Sequence, residues 1–65
     1  MKIVVNGEAT QTQAKTLEEL CAALGHGTAK VATALNGDFV PAPQRGQIKL
    51  TENDAVEIVS PRQGG

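Results

Sequence analysis

Few side chains in this sequence are of a kind that does chemistry, and their spacing assigns most of them to structure. Cys21 is the only cysteine and His26 the only histidine, so no disulfide can close within the chain and no His/Cys set is available for a metal. Cys21 falls on an apolar helical stripe, which makes it a core thiol rather than a nucleophile; His26 reads as an exposed loop residue. Gly25-His26-Gly27 lacks the longer glycine pattern and the following helix start of a phosphate-binding loop. Glu18 and Glu19 are adjacent, one facing solvent and one assigned to a helix cap, which leaves no acid–base pair of carboxylates. What remains is Ser60-Pro61-Arg62-Gln63-Gly64-Gly65. It has no apolar group beyond the Pro61 ring and finishes in two residues without a Cβ. A domain of residues 1–60 with a flexible tail of residues 61–65 is therefore expected.

The rest of the chain must hold and present that segment. At 65 residues with 40% hydrophobic and 20% charged content, one small folded domain is possible and a second core is not. The net charge of −1 and the single aromatic residue, Phe39, exclude the basic surface and stacking platforms of nucleic-acid binders. No apolar run approaches the ~20 residues of a membrane span, and the N-terminus lacks the pattern of a secretory signal. A soluble, cytoplasmic protein is expected.

Two Asn-Gly pairs punctuate the chain. Ile3-Val4-Val5 runs into Asn6-Gly7, and residues 30–35 run into Asn36-Gly37 before Asp38-Phe39-Val40, each the signature of a tight hairpin. The return strand of the first hairpin, residues 8–13, is polar and Thr-rich and suits an edge. Thr16-Leu17-Glu18-Glu19 is a capping box: the Thr16 hydroxyl would accept from the Glu19 amide and the Glu19 carboxylate from the Thr16 amide. Leu17, Leu20, Cys21 and Leu24 then form one apolar stripe, ended by Gly25. Pro41 and Pro43 interrupt pairing, so residues 41–46 are expected as a loop and residues 47–50 as a short strand. Ala55-Val56-Glu57-Ile58-Val59 is the last strand.

One helix over one face of a mixed, four- to five-stranded sheet accommodates this order, an α+β fold. The first and last strands are the most β-branched and belong side by side in parallel at the centre. Alternation puts Met1, Ile3, Val5, Val56 and Ile58 under the helix and Lys2, Val4, Glu57 and Val59 on the open face. Val4 and Val59, exposed beside Ala32 and Ala34 within a polar rim of Lys2 and Glu57, form a candidate partner patch.

Lys2-Ile3-Val4-Val5-Asn6-Gly7, Thr16-Leu17-Glu18-Glu19-Leu20, Ala34-Leu35-Asn36-Gly37-Asp38-Phe39-Val40-Pro41 and the run from Asp54 to the closing glycines together resemble the ThiS-type sulfur carriers within the ubiquitin-like β-grasp proteins. The resemblance covers the whole chain. It implies a carrier rather than an enzyme. The Gly65 carboxylate would be adenylated with ATP by a ThiF-like activating enzyme, and sulfur from a persulfide, supplied by a cysteine desulfurase or another donor, would replace AMP. The thiocarboxylate would then pass to a ThiG-like thiazole synthase. No bound cofactor is implied. Gly65 leaves its carbonyl open to attack from either face, and Gly64 lets the backbone thread a narrow channel. Val4, Ala32, Ala34, Val59, Pro61, Arg62 and Gln63 would contact partners. Relatives commonly place an arginine directly after the Val-Pro pair and a bulky residue soon after, whereas here Ala42, Pro43 and Gln44 precede Arg45. The same fold also admits the small subunit of molybdopterin synthase, usually longer and more apolar before its glycines, and a ubiquitin-like conjugating or docking module.

Overall fold

The computed structural model of the protein describes residues 1–26 and 30–60. The expected tail, Pro61, Arg62, Gln63, Gly64 and Gly65, lies outside the described residues, as does Gly27. Strands β1 (Lys2–Val5) and β2 (Glu8–Gln11) make an antiparallel hairpin, helix α1 (Leu17–Ala23) follows, β3 (Ala32–Leu35) and β4 (Asp38–Val40) make a second hairpin, and β5 (Ala55–Val59) comes last. All five strands join one sheet in the order β2-β1-β5-β3-β4. The central β5 runs parallel to β1 and antiparallel to β3, as the two β-branched strands led us to expect.

Both Asn-Gly pairs are left-handed turns: φ is 51° and 86° at Asn6 and Gly7, and 50° and 90° at Asn36 and Gly37. Asparagine and glycine tolerate these angles, and the resulting twist matches that of the flanking strands. Each asparagine also fastens β5. Asn6 Nδ2 donates to the Ile58 carbonyl (3.0 Å) while Asn6 Oδ1 accepts from the Ile58 amide (2.9 Å). The side chain thus supplies the peptide group that β1 withdraws as it turns into its hairpin. On the other flank, Asn36 Oδ1 accepts from the Ala55 amide (2.9 Å) and Asn36 Nδ2 donates to Asp54 Oδ1 (3.1 Å). Asp54 also accepts from the Thr51 amide (2.8 Å) and hydroxyl (3.0 Å), and these donors, the Thr51 amide foremost, hold its carboxyl below the usual range despite some burial.

The return strand β2 stops at Gln11, short of the expected residue 13, because the Thr12 hydroxyl accepts from the Ala14 amide (3.0 Å) and turns the chain away. Half of the capping box is as expected: the Glu19 amide donates to Thr16 Oγ1 (3.1 Å). The reciprocal bond is displaced by one residue, Glu19 Oε1 accepting from the Lys15 amide (2.8 Å). At the other end the Gly25 amide donates to the Ala22 carbonyl (3.1 Å) and the His26 amide to the Cys21 carbonyl (2.8 Å), with Gly25 at φ 88°. This is a Schellman closure.

Ile3, Ala14, Leu17, Leu20, Cys21, Val40, Leu50, Val56 and Ile58 make the core between α1 and the sheet. Met1 and Leu24, expected inside, are 38% and 40% exposed. Met1 precedes β1 and its ammonium donates to the Thr12 carbonyl, while Leu24 is the C-cap, past the last regular turn. After Pro41, which caps it in extended backbone, the expected loop of residues 41–46 is a 3₁₀ helix, Ala42–Gln47, whose first turn holds Pro43, where a missing amide hydrogen leaves no bond unmade. The expected strand of residues 47–50 reduces to one bridge, Thr16 to Lys49, which nevertheless pulls Leu50 into the core.

Candidate functional site

Pairing fixes which side chains share the open face of the sheet. Val4 stands opposite Ala9 and Ala55, Ala34 opposite Glu57 and Phe39, and Ala32 opposite Val59. Because neighbours in register point to the same side, these residues line the face turned away from α1. Thr33, Leu35, Val56 and Ile58 alternate with them toward the core.

The expected patch is present in altered form. Val59 is 59% exposed, as the alternation of β5 requires. Val4, expected exposed, is half-buried, as are Ala32 and Ala34, because strands on both sides shield short side chains in the middle of a sheet. The largest exposed apolar group is Phe39, 69% exposed, which the sequence reading left out. The signal was available: Val40, before Pro41, is the buried member of β4, so its neighbour Phe39 must take the opposite face. Glu57, expected on the rim, is the middle residue of the central strand.

Beneath this face the second hairpin is braced from behind. The Thr33 hydroxyl donates to the Val40 carbonyl (2.8 Å) and accepts from Arg45 Nε (3.0 Å), while Arg45 Nη2 donates to the Val31 carbonyl (2.6 Å). Thr33 is therefore a buried polar residue with its hydroxyl fully used, and Arg45, in the segment that departs from the expected pattern, ties the 3₁₀ helix to β3. Removing a partner here would strand buried polar groups.

The opposite side of the molecule holds a cleft of about 310 Å³ between α1 and the 3₁₀ helix, lined by Glu18, Cys21, Ala22, His26, Ala42 and Arg45. His26, expected exposed, is half-buried here because the Schellman closure folds it back over the helix end. Cys21 is a buried free thiol; burial pushes it up from the usual thiol range, with the Arg45 guanidinium opposing. A raised thiol is a poor nucleophile near neutral pH, so the reading of Cys21 as a core residue holds. Among the described residues no group of three or more His, Cys, Asp or Glu could hold a metal ion, and no helix is long and apolar enough to cross a membrane.

Among the described residues, what this arrangement leaves open to another molecule is the sheet face turned away from α1, with Phe39 and Val59 as its large exposed apolar groups. Val59 is the last residue of β5. The model of the ThiS family matches residues 2–65 of the chain. A thiazole synthase of Paramagnetospirillum magneticum is 38% identical over 66 residues, a match that takes in 100% of this chain and 20% of that protein; the chain thus spans about a fifth of that relative's length. A crystal structure of the thiamine biosynthesis protein ThiS from Geobacter metallireducens is similar with a TM-score of 0.80 at 30% identity, covering 100% of both chains. An NMR solution structure of a thiamine biosynthesis protein from the same organism reaches 0.79 at 29% identity, covering 100% of this chain and 88% of that one.

Proposed function

The chain belongs to the ThiS family and has its ubiquitin-like β-grasp fold, and from that premise we propose that it carries sulfur for thiazole synthesis as a co-substrate, with Gly65 as the loaded residue. A carboxylate oxygen of Gly65 attacks the α-phosphorus of ATP in an activating enzyme and pyrophosphate leaves. The acyl-adenylate is then attacked at carbon by the outer sulfur of a persulfide and AMP leaves; a thiol of the sulfur-transfer enzymes cleaves the acyl disulfide so formed, ending in a disulfide with the donor sulfur, and the released thiocarboxylate is handed to thiazole synthase. The chain contributes reach and recognition; the enzymes contribute the catalytic groups.

One observation carries this reading: the exposed apolar face reaches its end at Val59, on the strand that leads into Pro61, Arg62, Gln63, Gly64 and Gly65. Five residues span at most about 18 Å, so an enzyme that receives Gly65 in its active site must grip the domain near the end of β5. Val59 and Ala32 stand at that end, with Ala34 and Phe39 beside them and Val4 across the face. The similarity of the chain to one part of a protein named thiazole synthase supports that enzyme as a partner.

Incubation with ATP, an activating enzyme and a sulfur donor tests the reading by intact mass: replacement of one oxygen by sulfur at an activated acyl group adds about 16 Da. Attachment to lysine of another protein would point instead to conjugation, and no change in mass would contradict both. In the same assay Val59→Asp is expected to weaken docking of the activating enzyme by ~10-fold or more, as a KM effect, because it places a charge in the contact. Val59 is exposed and outside the core, so the thermal transition should stay within a few degrees of the parent. Unchanged KM would remove Val59 from the interface.

A further inference from the structure

Among the described residues, Glu57 is the acidic side chain that the strands bring to the open face, whose other polar strand residues, Lys2 and Gln11, stand together at its far end. β5 has two strands on either side of it, and Glu57 is the middle residue of β5, with an exposed side chain. Ala55 and Val59 flank it along the strand on the same face, and Ala34 and then Phe39 lie across from it. At a strand spacing of about 4.8 Å these neighbours fall within roughly 10 Å of the carboxylate. Lys2, the cation that β1 brings to this face, stands opposite Gln11 at the far end. The parallel register of Val4 with Ala55 puts Lys2 four residues short of Glu57 along the sheet, about 14 Å away and beyond the ~8 Å screening length of physiological salt.

We propose that Glu57 is the specificity determinant of this docking face, and that it takes a single cationic side chain set in an apolar surface of thiazole synthase. The proposal rests on the carrier reading given above. The physical reason is the position of the charge. A carboxylate at the rim of an interface stays wet and contributes little, whereas one at the centre loses its water when the surrounding apolar groups close, and that loss is costly unless a cation meets it. The ring of Val4, Ala34, Phe39, Ala55 and Val59 alone would adhere to any apolar surface. With Glu57 inside it, surfaces lacking the cation are rejected, and so are phosphate backbones and anionic lipid headgroups, which bring a like charge. An arginine is the better counterpart, because its planar fork meets both carboxylate oxygens at once.

Binding of the full chain to its cognate thiazole synthase, measured by titration calorimetry at low and high salt, tests this. Glu57→Gln, nearly equal in shape, is expected to raise Kd by ~10-fold and to flatten its salt dependence, and Glu57→Lys to raise it by ~100-fold or more, with melting temperatures near that of the parent. Partial recovery of Glu57→Lys by reversing one cation on the synthase would identify the counterpart. If both Glu57 variants bind as tightly as the parent while Val59→Asp does not, the determinant is elsewhere and docking through the face stands. If none of the three changes Kd, or if the parent chain does not bind the synthase, the face is not where this enzyme docks and the assignment of Glu57 falls with it.

Discussion

Deletion of Gly65 is expected to abolish sulfur loading while leaving the folded domain as it was. The shortened chain still ends in a glycine carboxylate, so the reacting group itself survives. What changes is its position, drawn back by one residue or about 3.5 Å. Displacement of a reacting atom by ~1 Å is enough to lower a rate about 100-fold, so the mass gain expected of the full chain should fall by at least that factor at matched times. The strands end at Val59 and the core cluster reaches no further than Ile58; the deletion removes none of these contacts. Its melting temperature should therefore match the parent. With no tryptophan or tyrosine in the chain, far-UV circular dichroism is the suitable probe. Loading at the parent rate would overturn the requirement for Gly65, the Gly64 carboxylate or another group then serving equally, and loss of the thermal transition would show that Gly65 supports the fold.

The proposed division between a gripping body and a reacting end is one that sequence reasoning reaches only in outline. The two hairpins were legible because Asn6-Gly7 and Asn36-Gly37 encode left-handed turns locally, and α1 because Thr16 and Gly25 mark its limits. The alternation of β5 placed Val59 on the open face and Val56 and Ile58 in the core without reference to any other element. Errors arose where a residue's surroundings depend on parts of the chain far away. Met1 and Leu24 fit the apolar pattern but lie just past the ends of the elements that would cover them. The 3₁₀ helix after Pro41 owes its place to Arg45 bonding back to Val31 and Thr33, a contact with no local signature. Glu57 was assigned to the rim on its charge alone, although β5 had already been set at the centre of the sheet, where its middle residue cannot lie at an edge. Gly64 and Gly65 were singled out by type and position along the chain, and their role is left to the mass measurement.

The second large effect concerns Asn6, whose type predicts a turn but whose side chain does more. Asn6→Ala places a Cβ-bearing residue without a compensating side chain at φ 51°, at a cost of about 1 kcal/mol. It also removes both bonds to Ile58, at about 1 kcal/mol each. The sum of about 3 kcal/mol is a large part of the roughly 3–10 kcal/mol that a domain of this length has, so the melting temperature should drop by about 15 °C. Asn6→Gly separates the two contributions. Glycine adopts the turn freely, so this variant keeps the backbone and loses only the clamp, and about 2 kcal/mol should still go. Were Asn6→Gly as stable as the parent, Ile58 would be satisfied by water and the clamp would contribute nothing. A loss confirmed for Asn6→Gly bears on function through β5 itself. Ile58 lies between Glu57 and Val59, and when its amide and carbonyl are released from β1 the end of the strand that carries the docking face is held by β3 alone.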